Sequence, residues 1–284
     1  MPSPEINASS APQYQLFLIR YGTREAQRSS VFLEYHLYDE PDGPIGMDYF
    51  FWVLRGRDGD IVVDTGFSAA GGAKRRRDTV IEPMRALAEI GVSPSAVELL
   101  VMTHLHYDHT GHVDAFPDAR ILIPRSDYEF WMGPHAKQAL FHHSVEDDEL
   151  ALVKRAHDEG RVELFEGGAE VAPGVEIIEV GGHSPGQSML LVPTSEGIVL
   201  LASDAVHYYE EYERRMPFVT LASIVDMLDS FDTIDGLLGD GSAAHLVSGH
   251  DPATFERLAG VGRPWSSELG DVIMTIGSAP EGDA

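Results

Sequence analysis

The 284-residue chain contains no cysteine. Disulfides and thiolate metal sites are thereby excluded, and any metal ion must be held by nitrogen and oxygen donors. Lysine is scarce, confined to Lys74, Lys137 and Lys154. Lysine and arginine together number 20 against 46 acidic residues, a formal net charge of -26. A surface this negative repels phosphate backbones and anionic headgroups, so no nucleic acid and no membrane is expected as a partner. Long apolar runs are missing too. The longest, Met47 to Leu54, contains Asp48 and is too short to cross a bilayer. The N-terminal MPSPEINASSAPQYQ has neither a basic start nor an apolar stretch, which makes the cytoplasm the expected compartment.

What is present is an ordinary globular composition, 43% hydrophobic and 23% charged, sufficient for a sizeable core. Residues 1–13 read as a flexible tail rich in Pro, Ser and Ala, and 14–284 as one domain. QLFLIRYG, VFLEYHLY, DYFFWVLRG and DIVVDTGF read as strands, with Gly56, Asp58 and Gly59 as a hairpin turn. Helical spacing puts Ile81, Met84, Leu87 and Ile90 on one face of a helix over Thr79 to Ile90. VELLVMTH and ARILIPR are further strands. Ser126 is placed to cap a short helix holding Tyr128, Phe130 and Trp131, and Trp131 to Val145 reads as a loop. EDDELALVKRAHDEG is a helix with its acids at the start, as the helix dipole prefers. RVELFEG, GVEIIEV, SMLLVPT and GIVLLASD are strands, Ala222 to Leu238 a helix, and AAHLVSGH a last strand. Runs of strands with helices interspersed in both halves predict an α/β chain of four layers, an αββα sandwich.

The chemistry concentrates in THLHYDHTGH. Side-chain direction repeats every two residues in extended chain, so His104 and His106 can face one way. Asp108 and His109 follow in the turn and can face a second centre. Three further pieces, GGHSPGQS with His183, LLASDA with Asp204 and HLVSGHDP with His250, also emerge from apolar strands. A lone strand-end His or Asp is commonly a packed residue or a turn cap. Together they read as residues on one rim of a sandwich. Imidazole and carboxylate are natural zinc ligands, and His also serves iron and cobalt.

The order IVVDTG, THLHYDHTGH, GGHSPGQS, ASDA, SGHD resembles the metallo-β-lactamase-fold superfamily, from about Phe51 to Pro252. The resemblance implies two divalent ions, most naturally Zn2+, with Fe or Co as alternatives. His104, His106 and His183 would hold the first and Asp108, His109 and His250 the second, with Asp204 bridging. Asp64 would orient a ligand imidazole or pin the loop. A hydroxide between the ions would attack a carbonyl or phosphoryl centre, and Asp108 would carry the proton to the leaving group.

GTREAQRS, MDYFFWVLRG and SDAVHYYEEYERRMPF resemble the N-acyl-homoserine lactonase branch, which implies opening of a lactone ring and a possible homodimer. Those lactonases carry Tyr three residues after the bridging Asp, where its hydroxyl can meet the lactone carbonyl. His207 stands there, followed by Tyr208 and Tyr209. Either His207 donates that hydrogen bond, a neighbour such as Tyr208 swings in, or the substrate differs. His112 reads as structural. His142 and His143 read as loop residues able to reach substrate, and the aromatics of DYFFW and DYEFWM as core or as the wall of an apolar channel.

The main alternative is thioester or other carboxylic ester hydrolysis, as in glyoxalase II. That branch adds a basic C-terminal region, whereas only Arg257 and Arg263 follow Asp251 here. A β-lactamase is disfavoured by the absence of an export signal, a phosphodiesterase or nuclease by the charge. An iron-dependent persulfide dioxygenase would hold a single metal. A non-enzymatic interaction protein is hard to reconcile with a full ligand set.

Overall fold

Alternation along the strands builds the layers. The computed structural model describes residues 13–280, so most of the expected N-terminal tail lies outside the described residues. In chain order the strands are β1 (Gln15–Gln27), β2 (Pro44–Gly56), β3 (Gly59–Val63), β4 (Asp78–Thr79), β5 (Leu99–Val101), β6 (Arg120–Pro124) and β7 (Val162–Phe165). They continue with β8 (Gly168–Ala172), β9 (Val175–Glu179), β10 (Ser188–Thr194), β11 (Gly197–Ser203), β12 (His245–Ser248), β13 (Gly262–Pro264) and β14 (Ile273–Ile276). One sheet runs β13-β14-β1-β2-β3-β5-β6-β7, with β4 on β1, and the other runs β12-β11-β10-β9-β8. The β2–β3 hairpin closes with Gly56 opposite Gly59, as its turn residues indicate.

Three separate cores lie between four layers. Phe17, Ile19, Phe51, Val53, Val62 and Leu100 face outward from the large sheet and pack with Ala86, Leu87, Val153 and Ala156 of flanking helices. Their neighbours Leu16, Leu18, Trp52, Leu54, Val63 and Val101 face inward, against Ile177, Leu190, Val192, Leu201 and Val247 of the small sheet. Met189, Leu191, Leu200 and Ala202, on the small sheet's other face, meet Met227, Phe231 and Ile234 of the helix Ile224–Gly239. The period of two in the strands thus assigns each residue to one core or the next. This is the αββα sandwich expected from the sequence. Among the described residues no helix is long and apolar enough to cross a membrane.

Local expectations divide. The helix over Asp147–Asp158 forms as its charge pattern predicts. The helix expected from Thr79 instead begins at Pro83, because the Glu82 carboxylate accepts from Arg85 N and Pro83 takes the first helical position. Thr79 is left to pair with β1. VFLEYHLY is not a strand. It makes short 3-10 turns with left-handed Glu34 and Asp39, and buries Val31, Phe32 and Tyr35. That spacing is helical rather than alternating, and the aromatic content concealed it. Ser126 does not cap a helix. Pro124 is the cap residue of Arg125–Trp131, and the Ser126 hydroxyl donates to Glu179. The expected loop after Trp131 contains two short helical segments, His135–Lys137 and Ala139–His142. Strands β8, β13 and β14 were not anticipated.

The rim of the sandwich is assembled by close backbone approach. Gly111, just after the helix Tyr107–Thr110, has an ordinary φ of -61, and its N–H donates to Gly66 O at 2.8 Å. A methyl group there would lie 2.1 Å from Ser68 N, 2.4 Å from Phe67 C and 2.6 Å from Gly66 O. All three are backbone atoms that cannot rotate aside. Gly111→Ala should therefore destabilise by about 3 kcal/mol or more through overpacking alone. The expected readout is a melting temperature lowered by roughly 6 °C or more. An unchanged melting curve would refute this account of the junction.

Candidate metal centre

Each candidate ligand leaves the end of a strand on the same rim. His104 and His106 follow β5, and His106 is the residue before the helix that carries Asp108 and His109. His183 lies in the loop after β9, Asp204 directly after β11, and His250 two residues after β12. All seven are buried although each carries polar or charged atoms.

Asp204 is the hub. Its carboxylate oxygens lie 3.1 Å from His250 Nε2, 3.3 Å from His183 Nε2, 3.4 Å from His109 Nε2, 3.4 Å from His207 Nε2 and 3.9 Å from His104 Nε2. The donor atoms of His104, His106 and His183 lie within 4.8 Å of one another, as do those of Asp108, His109 and His250. Those are the two triplets that the family resemblance implies as ligand sets. His183, Asp204 and His207 form a further triplet of the same tightness.

The rings are aimed by the groups behind them. Asp64 accepts from His109 Nδ1 at 2.8 Å, and its carboxylate also takes Thr103 N and Thr103 Oγ1, each at 2.8 Å. The Nδ1 atoms of His250 and His183 donate to Asp48 O and Thr220 O at 2.7 and 2.8 Å. His207 Nδ1 lies 3.1 Å from Glu211 Oε2. In each case Nε2 is left facing the centre, the usual support for a metal-binding imidazole. Asp64 and Ser203, at φ 61 and 48, hold left-handed backbone immediately beside the ligands. Such conformations cost about 1–3 kcal/mol and are retained where geometry matters.

The electrostatics differ from ring to ring: against the effect of its burial, Asp64 and Asp204 hold His109 well above the ordinary histidine range. Burial and neighbouring imidazoles hold His104 and His183 well below the ordinary histidine range, in the neutral form a metal requires. Burial also opposes charge on His207, but Glu211 and Asp204 outweigh it and bring its pKa to about 9. Buried His104 Nε2, His109 Nε2, His207 Nε2 and Asp204 Oδ1 lack hydrogen-bond partners. Unsatisfied buried polar atoms are costly, and these converge on one point. The donor set and its unsatisfied atoms fit divalent cations bound through nitrogen and oxygen.

Other expected residues are distributed differently. Tyr208 does not reach the centre. Its hydroxyl donates to Gly46 O at 3.0 Å and its ring packs on Phe32, which makes it a structural residue. Tyr209 is likewise engaged, donating to Leu246 O at 3.0 Å. His207 does reach the centre, and its ring stacks on Phe218 at 3.8 Å between centroids. His112 joins the Asp64 loop through Thr65 O at 3.0 Å. His142 faces Asp147 at 3.0 Å, whereas His143 lines the cavity.

Two supporting residues escaped the sequence reading. Glu211 is fully buried and accepts from His207 N, Tyr208 N and Phe218 N, joining His207 to the MPF segment. Its position four residues after His207, at a helix start, was a usable signal. Asp127 is also fully buried and accepts from Leu105 N at 2.7 Å, Gly186 N at 3.2 Å and the Ser184 hydroxyl. It thereby ties the His104–His106 loop to the His183 loop. Burial pushes its carboxyl up to about 6 against the lowering effect of those hydrogen bonds. Nothing local in SDYEFW announces this role.

The centre opens on a cavity of about 350 Å³ lined by Tyr49, Asp108, His207, Phe218 and arginine side chains. A second lobe of about 240 Å³, sharing His106 and His183, is walled by Trp131, Leu140, Phe141, Val219 and Leu221. Most aromatics of DYFFW are core, while Tyr49 and Trp131 reach the cavity.

Comparison with known proteins follows the same outline. The family model described as the metallo-beta-lactamase superfamily matches residues 47–250. The N-acyl homoserine lactonase of Bacillus thuringiensis is 28% identical over 193 residues, covering 63% of this chain and 72% of that protein. A solved quorum-quenching N-acyl homoserine lactone lactonase superposes with a TM-score of 0.71 at 23% identity, over 85% of this chain and 93% of the other. The hydrolase AbOPH, of the beta lactamase superfamily, superposes at 0.67 and 15% identity, over 96% and 99% of the two chains. At these identities the superpositions speak for the fold.

Asp127→Ala should leave Leu105 N and Gly186 N unsatisfied and loosen both ligand loops. Metal affinity is expected to fall about 10- to 100-fold, the usual effect of losing an outer support. Competition with a chromophoric chelator would measure it. Wild-type affinity in a folded variant would show that the loops hold themselves.

Proposed function

We propose, because the chain belongs to the metallo-beta-lactamase superfamily, that it is a metal-dependent hydrolase opening a lactone ring at the His-Asp centre. The observation that carries the reading is the set of unsatisfied nitrogens around Asp204, opening on a cavity with an apolar second lobe. The lactonase names of its relatives add the substrate class.

His104, His106 and His183 would hold one ion, Asp108, His109 and His250 the other, with Asp204 between. Two divalent ions there, zinc being the best match to the donors, would supply an activated water and a Lewis acid for the ester carbonyl. The residues do the rest. Asp108 borders the cavity with its Oδ2 3.9 Å from His250 Nε2. There it accepts the attacking water's proton and delivers it to the ring oxygen as the C–O bond breaks. By the resemblance His207 would stand where those lactonases carry tyrosine, and Phe218 and Glu211 fix its plane. With Glu211 taking the Nδ1 proton, Nε2 is the atom offered to the site. The apolar lobe beside Trp131, Phe141 and Leu221 accepts the hydrocarbon part of the substrate.

Thioester hydrolysis is the second reading. Its C-terminal basic clamp is poorly supplied, since Arg257 is paired with Glu213.

A panel of lactones, thioesters, β-lactams and bis-p-nitrophenyl phosphate tests the assignment on metal-loaded protein. Ring opening of a lactone, abolished by chelation and restored by zinc, is the expected result. Activity confined to another class would overturn it, and one iron per chain would contradict a two-ion centre. Asp108→Asn with full metal content should lose about 10²–10⁴ in kcat. Unchanged turnover would remove Asp108 from the proton path.

A further inference from the structure

The cavity that opens on the metal centre is also lined by a pair of arginines that the reaction does not use. Arg24 belongs to β1, and Arg77 directly precedes β4. The β1–β4 register pairs Gly22 with Thr79 and Thr23 with Asp78. Carried one residue further, that antiparallel register sets Arg24 across from Arg77. Both line the cavity with His207 and Asp108.

Like charges facing each other across strands are destabilising unless something compensates them. Here no carboxylate is in salt-bridge contact with either arginine among the described residues, and the carboxylate in the cavity whose charge reaches Arg77 is that of Asp108. Arg20, Arg28, Arg55 and Arg75 pair with Asp48, Glu210, Asp60 and Glu146. Arg24 and Arg77 form no ion pair among the described residues, in a chain with 46 acidic side chains. Alternation turns the adjoining Glu25 and Asp78 the other way. Both guanidinium groups are instead steered by neutral groups. Arg77 donates from Nε to Tyr107 Oη at 3.0 Å and from Nη1 to Arg75 O at 2.8 Å. Arg24 places its Nε 3.2 Å from Met47 Sδ. Among the described residues, Arg77 Nη2 and both terminal nitrogens of Arg24 have no hydrogen-bond acceptor. Two half-buried forks with free ends in one cavity make a receptor for a carboxylate or phosphate.

We infer that Arg24 and Arg77 form an anion subsite, and that the substrate is a lactone or related ester bearing a negatively charged substituent. This rests on the hydrolase reading and narrows it. The scissile carbonyl sits at the metal centre while the charged group reaches across the cavity to the arginines. A neutral substrate would leave two guanidinium groups facing each other without a partner. The net charge of -26 makes the pair more telling, because the rest of the surface disfavours anions.

The test compares γ-butyrolactones that share one short arm ending in carboxylate, phosphate or neutral carboxamide. Metal-loaded protein should favour a charged arm at least about tenfold in kcat/KM, mainly through KM. Which of carboxylate and phosphate is preferred identifies the source of the anion. The preference should collapse in Arg24→Met, Arg77→Met and the double variant. Arg57→Met, an exposed change of equal charge far along the β2–β3 turn, should keep it. Equal rates for charged and neutral arms, or a preference surviving in the double variant, would overturn the inference. Binding of glutarate and inorganic phosphate by calorimetry gives a readout that does not need turnover. Binding at least tenfold weaker in the double variant supports the subsite even if no lactone is opened, which would instead defeat the lactonase reading. Identical binding in wild type and double variant defeats the subsite whatever the enzyme hydrolyses.

Discussion

Five buried imidazoles crowd one carboxylate, and most of the rim exists to hold that arrangement. Placing His104, His109, His183, His207 and His250 within 3.9 Å of Asp204 leaves almost no freedom for any ring. Imidazole has two nitrogens, and only a fixed partner at one of them decides what the other presents. Asp64, Glu211, Asp48 O and Thr220 O supply that partner for four of the rings. His106 is turned the other way, its Nδ1 lying 2.7 Å from His183 Nε2. The structural groups behind the ligands are therefore as much a part of the centre's chemistry as the ligands.

Such a centre is costly before any ion binds. Asp64 and Ser203 stand in left-handed backbone, and Asp64, Asp127 and Glu211 are carboxylates with no exposed surface. Gly249 is required beside them, since a methyl group there would lie 2.8 Å from Asp204 Oδ1 and 2.7 Å from Ser203 O. The compensation comes from the three apolar cores, which bury both faces of the central strands β2, β5, β10 and β11 over most of their length. Stability and function are thus separated along the strands. Their middles supply the cohesion, and their ends bear the strain.

How much of this the sequence disclosed follows from the range of the interactions. Strand alternation and the HxHxDH spacing are local, so the layers and the ligand loops were legible. The segment Val31–Tyr38 is rich in aromatics, as strands are, yet its buried residues Val31, Phe32 and Tyr35 follow helical spacing. β8, β13 and β14 are short or lack an apolar run, and their partners determine them. Glu211 was within reach as an i, i+4 partner of His207. Asp127 was not, because the backbone amides it serves are 22 and 59 residues away. Tyr208 shows the reverse error. Proximity in sequence to His207 suggested the cavity, yet the chain turn sends its ring to Phe32.

Arg24 exposes a subtler limit. Its segment, GTREAQRS, resembles lactonases, which gives the arginine no role by itself. Its meaning depends on β4, a two-residue strand without any visible pattern. Only when β4 docks on β1 does Arg77 come to face the same cavity, and only then does the lack of a carboxylate become informative. On the proposed reading the metal centre would supply an activated water and a polarised carbonyl, which serve any ester alike. Discrimination must come from groups that touch the substrate elsewhere. In this cavity those are the apolar lobe, His207 and the two guanidinium groups, and only the last carry a full charge with no ion-pair partner among the described residues. Unpaired charge beside a catalytic centre is a cost the fold could have removed with a single acidic side chain, of which the chain has an abundance. Its persistence is explained if the substrate brings the missing anion.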